Sequence, residues 1–267
     1  MRHLIPVLGL LALGACKPKT GDVILATTTS TYDSGLLDEI TPAFEKDSGY
    51  TLKTIAVGSG QAMAMGRRGE ADVLLVHSPA AEEEFMREGF GSRRRLVMHN
   101  DFVLVGPASD PAEVRGMSSI AKAFHALASK EALFVSRGDD SGTHAKERSI
   151  WSKADLAPSG RWYIETGLGM GTTLQVASEK EGHTLSDRGT FLSLKKNLHL
   201  DILVEGDVLL HNVYHVIEVD AGRFPDVNAK GARAFADFIL SAGAQETIRT
   251  FGTKEHGQPL FTPDAER

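Results

Sequence analysis

The chain has 267 residues, 42% hydrophobic and 24% charged, an ordinary globular mixture that excludes wholesale disorder. Lys and Arg total 29 against 35 Asp and Glu, a formal charge of -6. That balance excludes a surface built to neutralise nucleic-acid phosphates but leaves room for one local anion site, and the lone cysteine excludes an intramolecular disulfide or a thiolate zinc cage.

Met1-Arg2-His3 is a short basic start, followed by the apolar run Leu4 to Leu13. Ten helical residues rise about 15 Å, half of a hydrocarbon core of roughly 30 Å, so the run is too short to span a membrane stably. A charged start, an apolar middle and a small-residue end instead fit an export signal. Leu13-Gly14-Ala15-Cys16 resembles the lipobox of bacterial lipoproteins, in which the cysteine is acylated and becomes the first mature residue. An ordinary secretory signal with a nearby buried cysteine is the alternative. The expected organisation is a signal peptide over 1–15, a tether over 16–21 and an exported body anchored through Cys16.

Beyond the tether, Val23-Ile24-Leu25-Ala26 reads as a buried strand that runs into the hydroxyl series Thr27-Thr28-Thr29-Ser30-Thr31. A helix follows with Leu36, Leu37, Ile40 and Phe44 on one face, and Pro42 is expected to kink or shorten it. Leu52 to Val57 is a strand leading through Gly58-Ser59-Gly60 into a helix over Gln61 to Arg67. Asp72 to Val76 is a strand, Pro79 to Glu88 a helix with proline in its first turn, and Phe102 to Val105 a further strand. The rhythm repeats with a helix over Ser118 to Ala128 and a strand over Leu133 to Ser136. The loop Arg137 to Thr143 then opens a helix bearing Ile150 and Trp151. Gly169-Met170-Gly171 opens another over Thr172 to Lys180. Ile202 to Val204 and Val213 to Val219 are strands, and helices over about 228–242 and 244–251 close the chain. Such alternation predicts an α/β fold with mainly parallel sheet, in which ligands gather where strand ends lead into helix N-termini.

The hydroxyl series, Gly58-Ser59-Gly60 and Arg137 to Thr143 each stand at such a place, and Gly169-Met170-Gly171-Thr172 precedes a helix. A helix N-terminus presents unpaired N–H groups and positive dipole character, small residues admit an anion to the backbone, and hydroxyls add neutral donors. Arg137 is the one cation within these loops and can grip two oxygens at once. Singly, each loop reads as a helix cap, a tight turn or a surface ion pair. Taken together, they favour a cage for a tetrahedral dianion.

Thr27-Thr28-Thr29-Ser30, Val57-Gly58-Ser59-Gly60-Gln61-Ala62, Ala71-Asp72-Val73-Leu74-Leu75-Val76-His77, Asn100-Asp101-Phe102-Val103-Leu104-Val105-Gly106-Pro107 and Ser136-Arg137-Gly138-Asp139-Asp140-Ser141-Gly142-Thr143-His144 occur in that order. Together they resemble the tungstate-binding proteins of bacterial ABC importers; Ser59 stands where that family often has Thr. The resemblance implies a two-lobed periplasmic-binding-protein type II fold, each lobe a mainly parallel sheet flanked by helices. It implies lobe 1 over 21–106 plus 214–267 and lobe 2 over 107–213, with crossovers near Leu104–Ala108 and Val213–Val219. The implied oxyanion ligands are Thr28, Thr29, Ser30, Ser59, Gly60, Arg137, Ser141, Gly142, Thr143, Gly171 and Thr172. Function would be capture of tungstate, molybdate more weakly, and delivery to an importer permease. No cofactor, no nucleic acid and no membrane contact beyond the lipid are implied for a monomeric carrier. Phosphate, molybdate or sulfate on the same fold is the alternative, with Asp139 and Asp140 expected to point outward or to Arg137.

Other classes fit less well. Ser119-x-x-Lys122 and Ser193-x-x-Lys196 match a hydrolase motif without its companions, and Ser141 lacks the glycine of a nucleophile elbow. His144 is expected to support the Arg137 loop, not to act as a base. His211 and His215 on a strand stand about 13 Å apart, too far to share a metal. Arg93-Arg94-Arg95 reads as a solvated loop.

Overall fold

The computed structural model describes residues 21–265; the expected signal peptide over 1–15, the expected tether before Gly21 and the expected anchor Cys16 lie outside them. The first unit is β1 (Gly21–Thr28), α1 (Thr29–Asp33), α2 (Leu36–Ser48), β2 (Tyr50–Val57), α3 (Ser59–Arg68), β3 (Val73–Val76) and α4 (Pro79–Arg87). A long β4 (Gly91–Gly106) then leads to α5 (Ile120–Ser129), β5 (Phe134–Ser136), α6 (Gly142–Lys153), β6 (Tyr163–Glu165) and α7 (Met170–Glu179). β7 (Thr184–Asp187), α8 (Arg188–Leu194), β8 (Asp201–Val204) and β9 (His211–Val219) follow. The chain closes with α9 (Ala229–Ile239), α10 (Ala242–Thr250), α11 (Thr253–His256) and β10 (Thr262–Pro263).

Period-two alternation explains the layers. Val23 and Leu25 of β1, with Val73 and Leu75 of β3, pack on the side of α2, α9 and α10, where Phe44 meets Phe235 edge-on with ring centres 5.3 Å apart. Ala26, Leu74 and Val76 face the opposite layer with Met63 of α3 and Phe85 of α4. Both faces of these strands are covered, so they read as continuous apolar runs rather than as half-polar ones. Parallel pairing joins β2, β1 and β3, and antiparallel β9 and β4 extend that sheet.

β4 changes partners along its length. It pairs with β9 through Asp101, and from Phe102 onward with β7 and β8. Its alternation serves a second core there: Phe102 and Leu104 join Phe124, Phe134 and Trp151, whereas Val103 and Val105 join Leu174 and Phe191. The chain thus forms two sandwiches of helix, sheet and helix joined by β4 and β9.

Four sequence expectations need correction. Thr27 and Thr28 end β1, and Thr29 to Thr31 are already helical, so the hydroxyl series is not a loop. Pro42 does not shorten α2, which continues to Ser48 because Ile40 and Phe44 hold its inner face in the core. Arg93-Arg94-Arg95 is strand, not loop. Arg94 donates through Nε to the buried Glu82 at 2.9 Å, and Arg95 bridges Glu218 at 2.9 Å and Asp237 at 2.6 Å. Finally, β6, β7 and α8 stand in segments that carried no assignment.

Candidate functional site

The helices opened by the marked residues bring their N-termini to two neighbouring cavities, α3 and α6 to one and α1 and α7 to the other. α1 begins beneath Thr28, whose side chain accepts from the Thr31 N–H at 3.2 Å. α3 begins at Ser59 behind Gly58 with no side-chain cap, and a Cβ built on Gly58 or Gly60 would meet nothing within 4 Å. Its first-turn N–H groups are therefore left open to a ligand. α6 begins at Gly142, capped by the Ser141 hydroxyl, which accepts from the His144 N–H at 3.3 Å. α7 begins at Met170 behind the uncapped Gly169. The two sandwiches come within contact here, since a Cβ on Gly142 would lie 3.1 Å from His77 Cε1 and 3.4 Å from Ser59 Oγ.

His77, at the end of β3, organises the α1 side. Its Nε2 is 3.0 Å from Thr28 Oγ1 and 3.3 Å from Ser30 Oγ, and its Nδ1 is 2.8 Å from Asn212 Oδ1. Asn212 spends both amide hydrogens on Asn100 Oδ1 at 2.8 Å and Tyr214 Oη at 3.0 Å. Its carbonyl oxygen must therefore accept from His77 Nδ1–H, which leaves Nε2 as an acceptor for a hydroxyl. Burial, above all, lowers the His77 pKa from its ordinary value and keeps the ring neutral.

The Arg137 loop is braced from within. Arg137 pairs with Asp139, whose other oxygen accepts from the Ser141 N–H at 3.2 Å. Burial pushes the Asp139 carboxyl up, but the Ser141 hydrogen bonds and the Arg137 charge outweigh it and hold the group below the usual carboxylate range. Gly138 has φ of 58°, and a Cβ there would sit 2.7 Å from Glu165 Cβ, so only glycine fits. The Asp140 N–H donates to His144 Nδ1 at 3.0 Å, which is the supporting role expected of that histidine. The Asp140 carboxylate is 90% exposed and turned toward Arg148, while Asp139 turns to Arg137, as expected of the pair.

Two cavities flank the meeting point. One of about 400 Å³ is lined by Ser59, Gly60, Ser141 and Gly142 together with His77, Lys146 and Asn212. The other, about 340 Å³, is lined by Thr29, Ser30, Arg137 and Gly171 together with Asp187 and Thr190. Thr28 and Thr143 are buried behind these walls. Thr172 is exposed and reaches neither cavity; Thr173 is the threonine of that turn that points inward, 3.0 Å from Thr166 Oγ1. Asp187 carries a feature that sequence reasoning missed. One of its oxygens caps α8 by accepting from Thr190 N–H at 2.8 Å, and the other is buried with no partner among the described residues. Both His77 and Asp187 stand at strand ends, the same positional signal that marked the other loops.

Among the described residues no group of three or more His, Cys, Asp or Glu could hold a metal ion. His215 instead meets Glu82 at 2.8 Å, and His211 stacks on His99.

Comparison with known proteins shows the family. A family model described as a PBP superfamily domain matches residues 15–242. The tungstate-binding protein TupA of Peptoclostridium acidaminophilum is 51% identical over 249 residues, covering 92% of this chain and 87% of that protein. A TupA of Campylobacter jejuni is 40% identical over 242 residues, 89% of each chain. Among solved structures, the tungstate binding protein TupA from Desulfovibrio alaskensis G20 superposes with a TM-score of 0.84 at 46% identity, covering 92% of this chain and 100% of that one. Fold, crevice and relatives define a solute-binding protein. The chain belongs to the PBP superfamily and, within it, to the family of the TupA tungstate-binding proteins.

Proposed function

We propose that the protein captures tungstate, and molybdate more weakly, and delivers it to the permease of an ABC importer. The ion lies in the crevice between the sandwiches, held by backbone N–H groups and hydroxyls of Thr29, Ser30, Ser59, Gly60, Ser141 and Gly142, with Thr28 and Thr143 packed behind them and Gly171 beside it. Arg137 supplies the full positive charge. Residues 21–106 with 214–267 form one lobe and 107–213 the other; the change of partners along β4 after Asp101 and the separate cores support two lobes, with Phe102 to Val105 of β4 already packed into the second core. Export, anchoring through an acylated Cys16 and action as a monomer complete the proposal.

The observation that carries it is the convergence of the α1, α3 and α6 N-termini around His77, with donors from both sandwiches within contact. Such donors favour a dianion, and closure over it excludes water that would otherwise screen them. Relatives named as tungstate-binding proteins support this ligand over other oxyanions. A second reading, monohydrogen phosphate, draws on Asp187, a cavity-lining residue with a buried carboxylate oxygen that has no partner among the described residues and is an acceptor for a ligand proton once reached. Calorimetric titration with tungstate, molybdate, sulfate and phosphate tests the choice. The expected order places tungstate first and molybdate second; phosphate binding tightest would overturn the ligand while leaving the fold intact.

A further inference from the structure

The charges around the two cavities pose a problem for capture of a dianion. Arg137, the cation lining one cavity, is already paired with Asp139. Asp33 and Asp187 add carboxylate residues to the wall of that cavity, and Asp140 adds one to the other. Hydroxyls and backbone N–H groups supply donors but no net charge. A dianion taken out of water here needs a cation that no carboxylate has already met.

Lys146 has that character. It stands four residues after Gly142 on α6, one turn along the same face, and lines the cavity with Ser59, Gly60, Ser141 and Gly142. Its Nζ donates to two backbone carbonyls at the approach to β9, Leu209 at 3.2 Å and His211 at 2.8 Å. An ammonium carries three N–H groups, so one is left over. Among the described residues its partners are those two carbonyls and the Phe102 ring, whose centre lies 5.7 Å away; no carboxylate pairs with it. Burial lowers its pKa, and no carboxylate opposes that shift. Its charge is also felt across the crevice: burial is the main cause that lowers the His77 pKa, and the Lys146 charge adds to it.

We propose that Lys146 is the second cation of the oxyanion site, supplying the unneutralised charge by which a dianion is preferred to a monoanion of the same shape. The two carbonyls hold the ammonium in place without cancelling its charge, because each is a dipole and not an ion. The remaining N–H is available to a ligand oxygen. Arg137 and Lys146 then stand on either side of the meeting point, one lining each cavity. The inference rests on the oxyanion reading above and adds to it a residue outside the loops that the sequence marked.

Lys146→Met keeps the reach of the side chain and removes its charge. Perrhenate is a tetrahedral monoanion of nearly the size of tungstate, so the two ions separate charge from shape. Coulomb energy scales with ligand charge, so the logarithm of the affinity loss should be twice as large for tungstate as for perrhenate. The expected result by calorimetry is a loss of about tenfold or more for tungstate and about threefold for perrhenate. A purely structural role, through the two carbonyls left without a donor, would weaken both ions equally. NMR titration of the lysine amines in the wild-type protein gives a readout that no folding defect can blur. A dianion beside the ammonium favours its charged form and should raise the Lys146 pKa in the tungstate complex, whereas closure alone would bury the amine further and lower it. Unchanged tungstate affinity in folded Lys146→Met, equal losses for the two ions, or a Lys146 pKa that falls in the complex would each overturn the second cation and leave the tungstate reading standing. Failure of tungstate to bind wild-type protein overturns both.

Discussion

The two rims of the crevice are built on different principles. On the α1 side, neutral hydrogen bonds run from Thr28 through His77 and Asn212 to Asn100, so the rim is tied to β9 and β4, the strands that join the sandwiches. On the opposite side, the Arg137 loop is braced locally: its cation, Asp139 and Ser141 meet within five residues, His144 closes the turn, and the neighbouring Gly167 N–H donates to the Arg137 carbonyl at 2.8 Å. A rim wired to the joining strands couples ligand contact to the relation between the sandwiches, whereas a locally braced rim supplies charge at a fixed point. Substitutions that break one rim should therefore produce effects of a different kind from those that break the other.

The largest effects come from removing a whole partner. Arg137→Ala takes away charged hydrogen bonds and should weaken tungstate binding by about 1.5–3 kcal/mol by calorimetry, with little change in thermal stability. Asn212→Ala sharpens the contrast. It strands the His77 Nδ1–H and the Asn100 Oδ1 in a buried site, and should lower unfolding free energy by about 1–3 kcal/mol in chemical denaturation, with affinity falling alongside. Gly142→Val acts between the rims. Its side chain would crowd His77 and Ser59, so it should cost about 1–3 kcal/mol of ligand-bound closure, read as a larger radius in solution scattering with tungstate present. Ser59→Ala removes a single neutral donor and should lose about 0.5–1.5 kcal/mol of binding, whereas Ser59→Thr should match wild type.

Much of this architecture was legible before the structure, and the reasons are physical. Val73 to Val76 is covered on both faces, so its uninterrupted apolar run announces a central strand. Thr184-Leu185-Ser186-Asp187 is equally buried but carries three polar side chains, so it shows no such run. Arg93 to Arg95 is hidden as a strand for the opposite reason: Arg94 and Arg95 find carboxylates on other elements, which no local pattern reveals. The loops at strand ends were legible because the small and hydroxyl residues cluster there. His77 was not assigned a role because its partner Asn212 lies 135 positions away. Asp187 was missed with the strand that carries it.

The central claim is that donors from both sandwiches close on one oxyanion, and crystals grown with tungstate test it by anomalous scattering at a tungsten absorption edge. The account predicts a single strong peak within hydrogen-bonding reach, through the oxygens, of Ser30, Ser59, Arg137 and Gly142. A peak confined to one rim, or none in the crevice at saturating tungstate, would contradict it.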